Sequence, residues 1–476
     1  MTEDYPTKWL VFSLVAAGVF MSTLDSSIVN IALPAIMADF KVPLTLIEWV
    51  PMIYLLTVSS LLLTCGRLSD IRGRRLIYCW GFVIFSAGSL LCGIAGTAPW
   101  LIGCRAVQGV GASMLMACSP ALVVDVFPIA ERGRALGMVG MVVAAGLTTG
   151  PALGGLILQH FSWRLIFYIN VPIGIVVTVA ALRILPSMKQ TLSHEPLDWI
   201  GSLLLVLCFS TFITGFSHLH EWGAASLKTG LAAVVFLASA GALAWVEIRI
   251  AHPIFDPSLL GIRLFVLPVA SAVILFISLF FITFLMPFYM VHPLAFSMNR
   301  VGATMMIPFV FLFFFAPISG TLSDRMGSRM LCTMGMALLT ISLFLLSRLS
   351  AEATSMDLAW RLALAGVGIA VFISPNSAAA MSAVPPRYRG IASGSVATAR
   401  NLGMVIGVAS AGLIFNHTFR LLNGGRDLTV YLPSMQFSFM TAFRHAMLAG
   451  AGMACLGIGV AYLRGPDSSR TGGQGA

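Results

Sequence analysis

Residues 21–34 read MSTLDSSIVNIALP, which sets an aspartate, Asp25, inside an apolar run long enough to cross a membrane. A carboxylate in hydrocarbon costs about 2.5–3.5 kcal/mol on insertion scales, so Asp25 is expected to face a cavity or a partner. Burial favours the neutral acid, which makes such a carboxyl a natural site for binding and releasing a proton. Ser22, Ser26 and Asn30 follow at steps of four and put a polar stripe on the same flank.

Arg105 opens another apolar run in RAVQGVGAS (105–113), with Gln108 one turn on. Gly109 and Gly111 invite a close helix contact and a polar partner for the arginine, the alternative being a side chain that snorkels to the interface. Glu48, before Trp49, is a second acid if it reaches a cavity mouth. Arg400 falls about mid-span in a later run, where it needs an acid or an anionic group. GLTTGPALGGLI (146–157) places Gly146, Gly150 and Gly154 at steps of four, with Pro151 beside them. Such a face lets helix backbones approach closely, and the proline loosens the helix. The phenylalanines at 280, 281, 284, 288, 309, 311 and 313–315 suit either a binding cavity or a lipid-facing surface.

These residues need helices to hold them, and the composition supplies little else. Of the 476 residues 58% are hydrophobic and only 10% charged. Runs of about 20 apolar residues recur along the chain, and the expected class is an all-α integral membrane protein. The expected helices are 9–33, 46–66, 76–96, 99–125, 134–158, 164–186, 197–217, 228–248, 266–290, 301–321, 330–349, 359–384, 391–416 and 440–463. The first is too long for the apolar part of a cleaved signal. Lys and Arg in the connections divide seventeen to nine in favour of the side that holds the termini, so both termini are expected in the cytoplasm.

The chain also repeats itself. GRLSDIRGRR (66–75) returns as GTLSDRMGSR (320–329), and ERGRALG (131–137) as YRGIASG (388–394). An offset of 257 carries Gly109 and Gly111 onto Gly366 and Gly368, and Gly146 and Gly150 onto Gly403 and Gly407. The expected organisation is a six-helix bundle over 1–190, an inserted helix pair over 191–262 and a second six-helix bundle over 263–476. In the paired decapeptides Gly66 and Gly73 are expected to make tight turns. Asp70, Arg74, Asp324 and Arg325 are expected to form gating loops, with Asp70 capping the helix near 390–395 and Asp324 facing the helix start near Gly133.

Several classes are excluded, and an enzyme or a non-transporting receptor is a weaker alternative. No lysine follows a glycine, so a phosphate-binding P-loop is absent. The net charge of +10 is spread over short loops, which argues against nucleic acid. The eight cysteines form no CxxC pair, and His218 with His220 reads as a solvated turn, so neither a metal nor a cofactor is expected. A membrane enzyme lacks converging nucleophile and base. A receptor would need a sizeable soluble domain, whereas the polar loops run to about 25 residues at most.

The decapeptide GRLSDIRGRR resembles the signature loop between helices 2 and 3 of the major facilitator superfamily; RAVQGVG resembles its helix-4 motif and GLTTGPALGG its antiporter motif. LDSSIVNIALP and WRLIFYINVPIG (163–174) are similar to hallmarks of the fourteen-helix drug:proton antiporter family within it. The resemblance implies export of amphipathic, often cationic compounds in exchange for protons, from the cytoplasmic membrane. By position it implies Asp25 as the membrane-embedded acid, Arg105 as the helix-4 arginine and Gly150 with Pro151 as the antiporter core. Relatives commonly carry Gln where Glu48 stands. The expected partners are a small amphipathic substrate, protons and the lipid bilayer, with a monomer as the working unit. Transport of one metabolite or siderophore is the rival reading.

Overall fold

The computed structural model describes residues 8–128, 131–185, 198–223, 226–250, 259, 261–385 and 389–465. Among them fourteen helices are long and apolar enough to cross a membrane. They are α1 (Lys8–Phe40), α2 (Leu44–Arg72), α3 (Arg74–Gly93), α4 (Ala98–Val126), α5 (Arg132–His160), α6 (Leu165–Ile184), α7 (Trp199–Ser217), α8 (Leu227–Arg249), α9 (Arg263–Val291), α10 (Met298–Met326), α11 (Ser328–Leu346), α12 (Ser355–Ser382), α13 (Arg389–Leu422) and α14 (Gln436–Leu463). The expected count holds, and the ends differ by a few residues in either direction, most at the end of the first helix. α1 runs past Pro34 to Phe40, because a proline in a membrane helix is tolerated when neighbouring helices satisfy the freed backbone.

The decapeptides are not loops. Residues 66–72 are the last turns of α2, and α3 begins at Arg74, leaving Gly73 alone as the connection. Gly73 has φ +95°, and Gly327, alone between α10 and α11, has φ +87°, a region that favours glycine. Gly66 sits inside the helix, as do Asp70 and Arg325 in theirs, so the expected turn at Gly66 does not form. Asp70 pairs with Arg74 across the turn at 2.9 Å, and Arg74 reaches on to Asp125 at the end of α4. The side chain of Asp324 and those of 389–391 lie outside the described residues.

The chain divides into two compact units, one covering 46–215 and 224–254 together with the N-terminal 42 residues, the other mainly 255–476. In the first, α1 packs on α5, α2 and α3 on α4, and α3 on α6. The second repeats these pairings eight helices later: α9 on α13, α10 and α11 on α12, α11 on α14. The glycines explain the correspondence. A Cβ on Gly109 would meet Tyr54 and Thr57 of α2, and one on Gly366 would meet Pro308 and Phe311 of α10. Gly111 faces α3 and Gly368 faces α11 in the same way. α7 joins the first unit, where Ser202 accepts from the Thr64 hydroxyl of α2 at 3.0 Å.

Within the second unit Phe280, Phe281, Phe284 and Phe288 are buried, whereas Phe313, Phe314 and Phe315 are exposed. A polar knot closes one end. There Asn376 donates to the Pro268 carbonyl at 2.9 Å and its Oδ1 accepts from Ser271 and from the buried Arg464, which also reaches Ser328. Beyond α9, His292 stacks on Tyr431 at 5.2 Å and on Phe288 at 6.2 Å, and burial lowers its ring to about 4.

Candidate functional site

Side chains from α2, α3, α4 and α6 gather around Asp25 of α1. Its carboxylate is fully buried, as are Arg105 and Gln108 of α4, Ser89 of α3 and, within 1–2 % exposure, Tyr54 of α2 and Asn170 of α6. Arg105 and Gln108 share one face of α4 because they are three residues apart. The approach of α3 is set by Gly88, whose Cβ would lie 2.7 Å from the backbone of Gln108. α6 breaks into a short turn, Leu165–Tyr168, and a longer part that starts at Asn170, which aims this side chain inward.

Every hydrogen-bond partner of the carboxyl is a donor. Asp25 Oδ2 accepts from Arg105 Nη1 at 2.5 Å. Asp25 Oδ1 accepts from Gln108 Nε2 at 2.9 Å and from Asn170 Nδ2 at 3.0 Å. Arg105 also donates to Gln108 Oε1 at 2.6 Å, and its guanidinium lies 4.1 Å over the Tyr54 ring. Ser89 Oγ accepts from both amides, at 3.2 and 3.0 Å, and donates to the Phe167 carbonyl at 2.9 Å. A buried ion pair survives desolvation only when its remaining lone pairs and protons are satisfied, and here the amides do that.

The antiporter-motif glycines of α5 bear on the same turn of α1. A Cβ on Gly146 would lie 2.2 Å from Thr23 Oγ1, and one on Gly150 2.6 Å from Ser27 Cβ; Gly154 meets Ile28. Pro151 has no N–H to give to the carbonyl four residues back, that of Leu147. The Ser27 hydroxyl donates to that carbonyl at 3.1 Å, so α1 repairs the gap the proline leaves in α5.

Thus Asp25 and Arg105 come together and Gly146, Gly150, Pro151 and Gly154 flank them. Glu48 is buried at 2 % exposure in the bend between Leu44–Ile47 and Trp49–Arg72, and it is not among the partners of Asp25 or Arg105. The expected polar stripe is turned inward: Ser22 donates to Val19 O at 3.1 Å and Asn30 to Ser26 O at 2.9 Å. Arg400, in α13 of the second unit, meets no acid among the described residues, and Thr398 Oγ1 and Asn401 Nδ2 beside it are buried without hydrogen bonds. Asn170, Ser89 and Tyr54 are the residues that motif reasoning passed over. Asn170 lies inside the motif WRLIFYINVPIG, and a polar side chain in an apolar run was the available signal. The head of that motif holds α1 elsewhere, where Trp163 and Arg164 each donate to Asp39 Oδ2 at 3.0 Å.

The sequence profile of the Major Facilitator Superfamily matches residues 15–408. The riboflavin transporter RibZ of Clostridioides difficile is 35% identical over 87% of this chain and 91% of its own length. Multidrug resistance protein 3 of Bacillus subtilis is 29% identical over 87% of this chain and 80% of its own. The crystal structure of a bacterial homolog of the human lysosomal transporter Spinster shares the fold with a TM-score of 0.71 at 14% identity, covering 97% of each chain.

Proposed function

Because the chain belongs to the Major Facilitator Superfamily and is a multi-pass membrane transporter rather than an enzyme, we propose that it is a proton-coupled antiporter. It exports amphipathic compounds, cationic drugs among them, across the cytoplasmic membrane by alternating access, with both termini in the cytoplasm. The observation that carries this reading is the fully buried Asp25–Arg105 pair at the centre of the first unit. Ionised Asp25 binds Arg105 in one facing state. A proton taken up from outside removes that attraction, while the Tyr54 face and Gln108 Oε1 keep the guanidinium company. Each tenfold difference in proton affinity between facing states is worth about 1.36 kcal/mol of drive. Proteoliposomes holding a pH gradient test it: Asp25→Asn should lose gradient-driven uphill transport, and uphill transport at the normal rate by that variant would sink the assignment.

A second reading is transport of one metabolite. It is favoured by Arg400 in α13, a cation that meets no acid among the described residues and suits an anionic compound better than an organic cation, and by the identity shared with a riboflavin transporter. Competition separates the two. Unrelated cationic dyes displacing one another support drug export, whereas riboflavin transport that no dye inhibits supports the metabolite.

A further inference from the structure

We propose that the Asn170 side-chain amide is the positioning group that lets Asp25 exist in both protonation states, donating to the carboxylate and, after a half-turn about its own Cβ–Cγ bond, accepting from the carboxylic acid. The inference rests on reading Asp25 as the proton-binding group and adds to it a partner that changes role.

An ionised carboxylate is an acceptor only, and every group in hydrogen-bond contact with Asp25 is a donor: Arg105 Nη1, Gln108 Nε2 and Asn170 Nδ2. A proton arriving on that carboxyl turns one oxygen into a donor, which then needs an acceptor at the same place. Gln108 Oε1 is committed, receiving Arg105 Nη1 at 2.6 Å and the Cys92 thiol at 3.7 Å. Ser89 Oγ receives both amides and gives its own proton to the Phe167 carbonyl. Asn170 Oδ1 is buried and receives no hydrogen bond. Among the described residues it is the one uncommitted acceptor on a side chain that already touches the carboxylate. An amide is nearly symmetric in shape, so the half-turn exchanges Nδ2 for Oδ1 at almost unchanged volume. The contact Nδ2–H to carboxylate becomes carboxylic O–H to Oδ1, and the Nδ2–H bond to Ser89 Oγ is given up, leaving that hydroxyl free to swing its proton from the Phe167 carbonyl towards Oδ1; the acid proton stays on Asp25 and no covalent bond of Asn170 changes.

The surroundings favour rotation of the amide over movement of the helix. Trp163 and Arg164 hold Asp39, and Asn170 holds Asp25, so one segment grips α1 at two points fourteen residues apart, about 21 Å along a helix. Gly174, one turn beyond Asn170, packs so tightly on α3 that its Cβ would fall 1.8 Å from Ser86 Oγ. The backbone that carries Asn170 is therefore pinned on both sides.

The test uses the full-length protein and the proton as its own probe. Infrared difference spectra are titrated from about pH 4 to 9, and the Asp25 carboxylic C=O band is assigned by its absence in Asp25→Asn. Asn170→Leu, which keeps the bulk and loses both hydrogen-bonding roles, should move the protonated Asp25 C=O band to higher wavenumber, because the acid's O–H loses its acceptor, while the midpoint moves only by the difference between the donor lost to the ionised form and the acceptor lost to the acid. Asn170→Asp, which keeps the shape, should move the midpoint up, since two neighbouring carboxyls share one proton. An Asp25 C=O band left in place by Asn170→Leu would reduce Asn170 to a fixed donor or to packing and overturn the inference while leaving Asp25 as the proton site. If no titrating band disappears in Asp25→Asn, the reading of Asp25 itself fails, and the inference with it.

Discussion

A charge in the membrane interior is stable only in company, and Arg105 shows how a single residue meets that demand. Arg105 has Asp25, Gln108, the Val50 carbonyl and the Tyr54 face, so Arg105→Ala strands a buried carboxylate. The expected loss is about 3–5 kcal/mol, seen as a lower melting temperature of the purified protein, with Asp25→Asn in the same background recovering much of it. His292 gives a pH prediction. Its folded value lies below the ordinary 6.5, at about 4, so the unfolded chain binds the proton more readily between those values and stability falls as pH drops from about 6.5 towards 4. His292→Phe should flatten that dependence in melting curves; an unchanged slope would mean that the ring is not the group responsible. Asp25 and Arg105 were legible in the sequence as costly charges. Their pairing was not, because 80 residues separate them and only the folded bundle sets the distance. Asn170 was legible only as part of a motif, since its significance lies in two hydrogen bonds that no local spacing encodes.

For helices, the informative positions are those where a side chain would be too much. Ser27→Ala leaves the Leu147 carbonyl without the donor that replaces the missing N–H of Pro151, a buried unsatisfied acceptor that costs about 1–3 kcal/mol. Faster amide exchange around residues 147–151 is the expected sign, and unaltered exchange there would count against the repair. The two glycines of the first decapeptide should behave oppositely. Gly66 is helical with open space where a Cβ would stand, so Gly66→Ala should stabilise by about 0.5–1 kcal/mol. Gly73, at φ +95°, forces any side chain into strain, and Gly73→Ala should lower the melting temperature. The repeat itself was legible, but its conformation was read as a loop. Gly and Asp suggested a turn, but the helix runs on unbroken through residues 66–72, and one residue sufficed to reverse the chain.

Across the whole molecule, the duplicated glycine register makes two units with the same pairing scheme, each with its own buried core. Residues 1–254 expressed alone should therefore insert and resist limited proteolysis as a folded unit; rapid digestion throughout that fragment would show that the first unit needs the second. The halves differ in what they carry. The offset that aligns the glycines sets Ile282 opposite Asp25, so the second unit has no carboxyl at that place and builds its polar knot from Asn376 and Arg464 instead. Fold class and helix count were legible because hydropathy alone dictates them. The knot was not, since Arg464 counted as one more charge at a helix end until the fold buried it.

The single-residue turns at Gly73 and Gly327 bear on how the protein is made. One residue spans at most about 3.6 Å, so α2 cannot settle in the bilayer with its end at one face while α3 waits at the other. Each of the pairs α2–α3 and α10–α11 must enter as a hairpin during synthesis. In the first pair Asp70 and Arg74 neutralise each other at the tip as it arrives, so the tip carries less uncompensated charge while the nascent chain is still being threaded.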